Sequence, residues 1–154
     1  MRTINDWFDE YGESHRNPIN KTIHWLCIPS IFFSIVGFLS LVTVPVDFGE
    51  TVTLNLAMII LLFVIFYYMR LSKTLWIGML LFSLICIYIL LQMEAAGISV
   101  LNTCIAIFVI AWIGQFIGHK IEGKKPSFFK DIQFLMIGPA WLMSFIYKRL
   151  GIKI

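Results

Sequence analysis

Three histidines, His15, His24 and His119, are the residues of this chain best suited to hold a metal ion. Each has polar company at helical spacing. Asn20 and His24 stand four residues apart, so a helix turns both the same way, and Tyr11 lies four before His15. Gln115 lies four residues before His119 and Glu122 three after it, again on one helical face. Three imidazoles suit Fe, Zn, Cu or Ni and leave coordination positions open for catalysis. Glu122 is then a fourth ligand or an outer partner of a ligand. Gln115 sits in an apolar stretch, where its amide needs a partner, and a metal-bound imidazole would supply one. Tyr11 and Asn20 are candidates for orienting a ligand or substrate. The plainer alternative is that interfacial histidines are ordinary solvated or hydrogen-bonded side chains, with Asn20 linking helices and Glu122 in a solvated loop.

The elements that must position these residues are apolar. The 154 residues are 59% hydrophobic and 14% charged, with a mean hydropathy of +0.86. A soluble domain carries about a quarter charged residues. The charges gather in gaps between long runs of Leu, Ile, Phe and Met, the pattern of bilayer spans on short loops. The expected fold is therefore all-α: a polytopic helical bundle forming one membrane domain, residues 1–154. Spans are expected at about 26–46, 52–69, 75–91 and 98–118, each near the ~20 residues that cross ~30 Å of hydrocarbon. Residues 132–147 are short and interrupted by Gly138-Pro139, which predicts a re-entrant hairpin, an interfacial helix pair or a kinked span.

Residues 1–22 read as a cytoplasmic interfacial segment. Trp7, Phe8 and Tyr11 alternate with acids over 3–14, which suits an amphipathic helix with its aromatics at headgroup depth. Asn17-Pro18 reads as an N-cap with proline at the first helical position, and Pro29 predicts a kink early in the first span. Arg2, Arg16 and Lys21 precede the first span, and Asp47 and Glu50 follow it. Arg70 and Lys73 follow the second, Glu94 the third, and Lys120, Lys124, Lys125 and Lys130 the fourth. This alternation puts the amino terminus, and with it all three histidines, on the cytoplasmic face. Lys148, Arg149 and Lys153 belong there too, which favours re-entry of residues 132–147 over a single crossing.

Composition also narrows the function. The net charge of +3 includes no basic tract long enough for a nucleic-acid arm, so no nucleic acid is expected as a partner. Cys27, Cys86 and Cys104 lie in apolar runs without metal or redox spacing, and read as small buried hydrophobes. The acid-rich first 22 residues lack the apolar core of a cleavable signal peptide. Compact length and the lack of a targeting tail favour a bacterial inner membrane, with the endoplasmic reticulum expected in a eukaryotic host.

Two stretches carry a family resemblance. His15-Arg-Asn-Pro-Ile-Asn20-Lys-Thr-Ile-His24-Trp-Leu-Cys27-Ile-Pro29 resembles the opening signature of the 2-hydroxy fatty acid dioxygenase family. Gln115-Phe-Ile-Gly-His119-Lys-Ile-Glu122-Gly-Lys-Lys-Pro126-Ser is similar to its second signature. Members include a fungal endoplasmic-reticulum enzyme of phytosphingosine breakdown and many bacterial proteins. The resemblance covers nearly the whole chain, the spacing between blocks and the closing Gly138-Pro139 element included. It implies Fe(II)-dependent α-oxidation, in which a long-chain 2-hydroxy fatty acid and O2 give an acid one carbon shorter. The family's essential histidines match His15, His24 and His119. Cys27 stands where many members have glycine, which implies altered packing and unaltered ligation.

On this reading three imidazoles occupy one face of an octahedral iron. The 2-hydroxy acid chelates through its hydroxyl and one carboxylate oxygen, and the last position is left for O2. The acyl chain stays among the apolar spans of the bilayer, and Arg16, Lys120, Lys124 or Lys125 is placed to pair with the carboxylate. Two rival readings stand beside it. One is a membrane-surface zinc hydrolase with Glu122 as base. The other is a non-catalytic lipid-binding membrane protein. A transporter would place polar residues near the midplane in paired repeats, and the sequence has neither feature. Oligomeric state is left open.

Overall fold

Reciprocal capping starts the first helix. Thr3 Oγ1 accepts from Asp6 N while Asp6 Oδ2 accepts from Thr3 N at 2.7 Å, which opens α1 (Ile4–Gly12). The structure, a computed structural model, describes residues 3–47, 53–123 and 128–154. Arg2, Glu50, Lys124, Lys125 and Pro126, singled out above, lie outside the described residues. Asn17 caps α2 (Pro18–Ser40) as its spacing predicts, its Oδ1 accepting from Ile19 N at 2.9 Å with Pro18 in the first turn. The helix is unbroken through Pro29.

The chain leaves the helical state earlier than hydropathy suggests. Residues 41–46 were expected to complete the first span. Instead β1 (Thr43–Asp47) pairs antiparallel with β2 (Thr53–Asn55), so the architecture is not purely all-α. The run Val42-Thr43-Val44-Pro45-Val46 explains this: β-branched residues favour extended backbone, and Pro45 bars a helix across its preceding turn. Asn55 then caps α3 (Leu56–Leu71) by accepting from Met58 N at 3.1 Å. At 16 residues, α3 rises about 24 Å, short of the ~30 Å hydrocarbon core.

α4 (Leu75–Ala95) and α5 (Val100–Glu122) are joined by a tight turn in which Gly97 takes φ 71° and Ile98 N donates to Met93 O at 2.9 Å. Among the described residues, three helices are long and apolar enough to cross a bilayer: α2, α4 and α5. That is one fewer than the four spans expected, because α3 is short. Buried serines in two of them bond within their own helices. Ser34 donates to Ser30 O and Ser83 to Met79 O, each at 2.8 Å, as apolar surroundings demand.

The last segment is not broken at its glycine and proline. α6 (Phe128–Arg149) is a single helix that runs on through Gly138-Pro139. It is held by packing on several elements at once. Tyr68 near the end of α3 donates to Met136 O. The Tyr147 hydroxyl accepts from Gly78 N and donates to Thr74 O, both at 2.9 Å, at the start of α4. Gly138 faces Tyr11 and Ile28, where a Cβ would come within 3.2 Å of the Tyr11 hydroxyl. These partners sit on α1, on the first half of α2, and on the turn side of α3 and α4. They mark one end of the bundle, and α6 lies across it. A helix in that position ends with Arg149 beside Trp25, at the same end of the bundle. On α1, Tyr11 is buried, and the half-buried Trp7 and Phe8 pack with it towards α6.

Candidate metal centre

The three histidines arrive at that same end of the bundle from three different elements. His15 is on the link between α1 and α2, His24 is two turns into α2, and His119 is in the last turn of α5. Each offers a ligand atom, and these atoms lie within 4.8 Å of one another, close enough for one ion to reach all three. The rings meet steeply. His15 and His24 stand 4.3 Å apart at 81°, and His24 and His119 stand 5.1 Å apart at 89°. Such rings point their nitrogens at a common volume instead of stacking.

Local backbone geometry sets the tautomers. His15 Nδ1 lies 2.6 Å from Tyr11 O, and His24 Nδ1 lies 2.9 Å from Asn20 O. A carbonyl only accepts, so both Nδ1 atoms carry the proton and both Nε2 atoms present a lone pair. This is the usual outer-shell arrangement of a ligating imidazole. Both Nε2 atoms are buried without a hydrogen-bond partner. A buried orphaned acceptor is costly, and a metal ion satisfies it. Burial lowers the His15 imidazole to about 4, against the opposing pull of its bond to Tyr11 O, so the ring is neutral at physiological pH. Neutral imidazoles at this separation fit a first-row divalent ion such as iron or zinc.

Glu122 is part of the frame. Its Oε1 accepts from Arg16 N at 2.8 Å, and its Oε2 accepts from Asn17 N and Asn20 Nδ2, both at 2.9 Å. Asn20 Nδ2 also donates to Ser14 O at 3.0 Å. The last turn of α5 is thereby bolted to residues 14–20, the segment that carries His15 and leads to His24. Two of the donors are backbone N–H groups at the start of α2, which have no intrahelical acceptor. A glutamine at 122 would turn an NH2 group towards one of these donors. Glu122→Gln is expected to weaken Fe(II) or Co(II) binding to the metal-free protein by about tenfold, the scale of lost outer partners of ligands. An unchanged binding isotherm would remove Glu122 from the frame.

Small residues allow the close approach. A Cβ on Gly118 would collide with Asn20 Oδ1 and lie 3.1 Å from His24 Cε1, while one on Gly114 would lie 2.5 Å from Cys27 Sγ. Gly114 and Gly118 form a Gly-x-x-x-Gly face on α5, a pattern that brings membrane helices into contact. That spacing is visible in the sequence, although it lies on the helix that carries His119 and not among the histidines themselves. Trp141 of α6 has no such signal. Its ring lies 5.4 Å from His15 and 5.2 Å from Tyr11, and Tyr11 stacks on His15 at 4.1 Å and 13°. Nothing in sequence spacing ties residue 141 to residue 15.

Of the other candidates, Gln115 is buried one turn before His119 and makes no hydrogen bond to a histidine among the described residues. Arg16 and Lys120 have exposed side chains next in sequence to His15 and His119. Lys124 and Lys125 lie outside the described residues.

The chain is 29% identical to the 2-hydroxy-palmitic acid dioxygenase MPO1 of Saccharomyces cerevisiae over 141 residues, 90% of this chain and 76% of that protein. No solved structure matches. The profile of the family described as 2-hydroxy-palmitic acid dioxygenase Mpo1-like matches residues 1–150, and the chain belongs to that family.

Proposed function

We propose that this protein is an Fe(II)-dependent dioxygenase that performs α-oxidation of long-chain 2-hydroxy fatty acids at the cytoplasmic face of a membrane. His15, His24 and His119 are the iron ligands. The observation that carries the reading is the pair of buried, unpartnered Nε2 atoms, each set by an Nδ1–H bond to a backbone carbonyl, in a cluster with His119. The name of the yeast relative supplies the substrate class. Iron, when bound, supplies the one-electron chemistry that O2 requires.

The rest of the task falls to the chain. Tyr11 and Trp141 pack beside His15 and help to keep bulk water from the cluster. Asn20 and Glu122 fix the spacing of the segments that carry the histidines. The overall conversion balances without an external reductant. A 2-hydroxy acid and one O2 give the acid one carbon shorter, carbon dioxide and water, the four electrons coming from the carbon–carbon bond and the carbinol carbon.

The zinc hydrolase reading needs Glu122 as a free base. Both of its oxygens are instead engaged by N–H donors, which favours the oxygenase. Iron-loaded protein given 2-hydroxyhexadecanoic acid is expected to form the pentadecanoic acid with O2 and nothing without it. Zinc-loaded protein should be inert. No shortened acid from iron-loaded protein across several chain lengths would overturn the proposal.

A further inference from the structure

A groove between α2 and α6 opens beside the centre. It has a volume of about 310 Å³ and is lined by Trp25, Phe145, Ile146, Arg149 and Leu150. That is at the small end of the range for small-molecule sites. Four of its five walls are apolar and the fifth is a guanidinium. No carboxylate lines it, so the cation has no partner inside the groove. Aromatic contacts connect it to the histidines. Trp25 and Phe145 face each other at 6.2 Å, Phe145 meets Trp141 edge-on at 4.7 Å, and Trp141 lies 5.4 Å from His15. Trp25 directly follows His24. One layer of rings therefore separates groove from cluster.

We propose that this groove is where the long-chain acid docks, with Arg149 taking the carboxylate and Trp25, Phe145, Ile146 and Leu150 taking the chain. The proposal rests on the functional reading above and names where its substrate first binds. Charge complementarity selects the occupant: one planar cation among apolar walls matches a single-chain amphiphile with one carboxylate. Depth agrees, because α6 lies at the end of the bundle where charges gather, and a fatty acid keeps its head at that level and its chain among apolar side chains. Lys148 and Lys153 carry the same charge without lining the groove. A topology signal needs only charge, so Arg149→Lys separates the two roles: it keeps the charge and loses the fork.

Two measurements test this on the full chain in liposomes. Arg149→Gln should raise KM for 2-hydroxyhexadecanoic acid about two- to fivefold, the scale of an exposed ion pair, with iron content unchanged and Arg149→Lys intermediate. Ile146→Trp, which fills the groove, should lower kcat/KM more for long acids than for short ones. Independently of turnover, a diazirine-bearing hexadecanoic acid should label Trp25 or residues 145–150 and be displaced by excess hexadecanoic acid. Unchanged KM and chain-length preference, or labelling of the groove only by a diazirine phospholipid that the acid does not displace, would overturn the proposal and leave the oxygenase reading standing. Specific, displaceable labelling in a protein that never shortens the acid would support the groove and reject the oxygenase.

Discussion

His24→Ala is expected to leave the protein folded, free of stoichiometric iron and slowed by more than about a hundredfold, since removing a ligand must exceed the 10–100-fold cost of removing a ligand's outer partner. His24 is fully buried two turns into α2, and its Nε2 has no protein partner. The substitution deletes a ring that the protein itself does not use as an acceptor. The carbonyl of Asn20 loses the imidazole N–H but keeps its intrahelical partner, so the helix survives. The cost to folding is therefore a cavity, while the cost to metal binding is one of three donors. Iron per chain, measured after anaerobic loading, should fall well below one while helicity and elution volume match the wild type. Full iron occupancy and activity in His24→Ala would end the case for a three-histidine centre. His15→Ala should behave alike, with an added loss of the stacking that holds Tyr11.

Sequence and structure agree where local chemistry decides and part where packing decides. The cap at Asn17, the turn that sets Asn20 beside His24, and the spacing of His119 from Glu122 are short-range facts, and all appear as spacing predicts. The gathering of the histidines at one end followed from loop charges, because an even number of passes between His24 and His119 returns the chain to its starting side. Three features were not legible. Hydropathy does not distinguish a helix from the extended Val-Thr-Val-Pro-Val run, so the first span was drawn too long. Pro139 reads as a breaker in isolation, yet α6 keeps its helix because Ile137, Ala140, Trp141 and Leu142 are buried around it. Glu122 reads from spacing as either a fourth ligand or an outer partner of a ligand, and spacing alone does not separate the two. Only the long-range bonds to Arg16, Asn17 and Asn20 show that its oxygens are engaged elsewhere.

The same long-range register makes Gly118→Ala the second most damaging single change expected, although it adds one methyl group and touches no ligand atom. The added Cβ would collide with Asn20 Oδ1 and press on His24, both fully buried. Asn20 cannot swing aside without cost, because its Nδ2 holds Glu122 and Ser14 O together. Relief must come from α5 moving away from α2, which carries His119 away from His15 and His24. Metal affinity is therefore expected to fall about 10–100-fold, as for other changes that disturb ligand placement. Gly114→Ala, one turn earlier, provides the contrast. Its Cβ would lie 2.5 Å from Cys27 Sγ, and Cys27 makes no hydrogen bond in the frame around the histidines. Shortening that neighbour should restore the fit, so Gly114→Ala with Cys27→Gly should bind iron nearly as the parent does. Gly118→Ala with Asn20→Ala should not recover, since the second change removes the clash and the bond to Glu122 together. Fe(II) titrations of the four variants separate these outcomes. Wild-type affinity in Gly118→Ala would show that the α2–α5 approach does not set the spacing of the histidines.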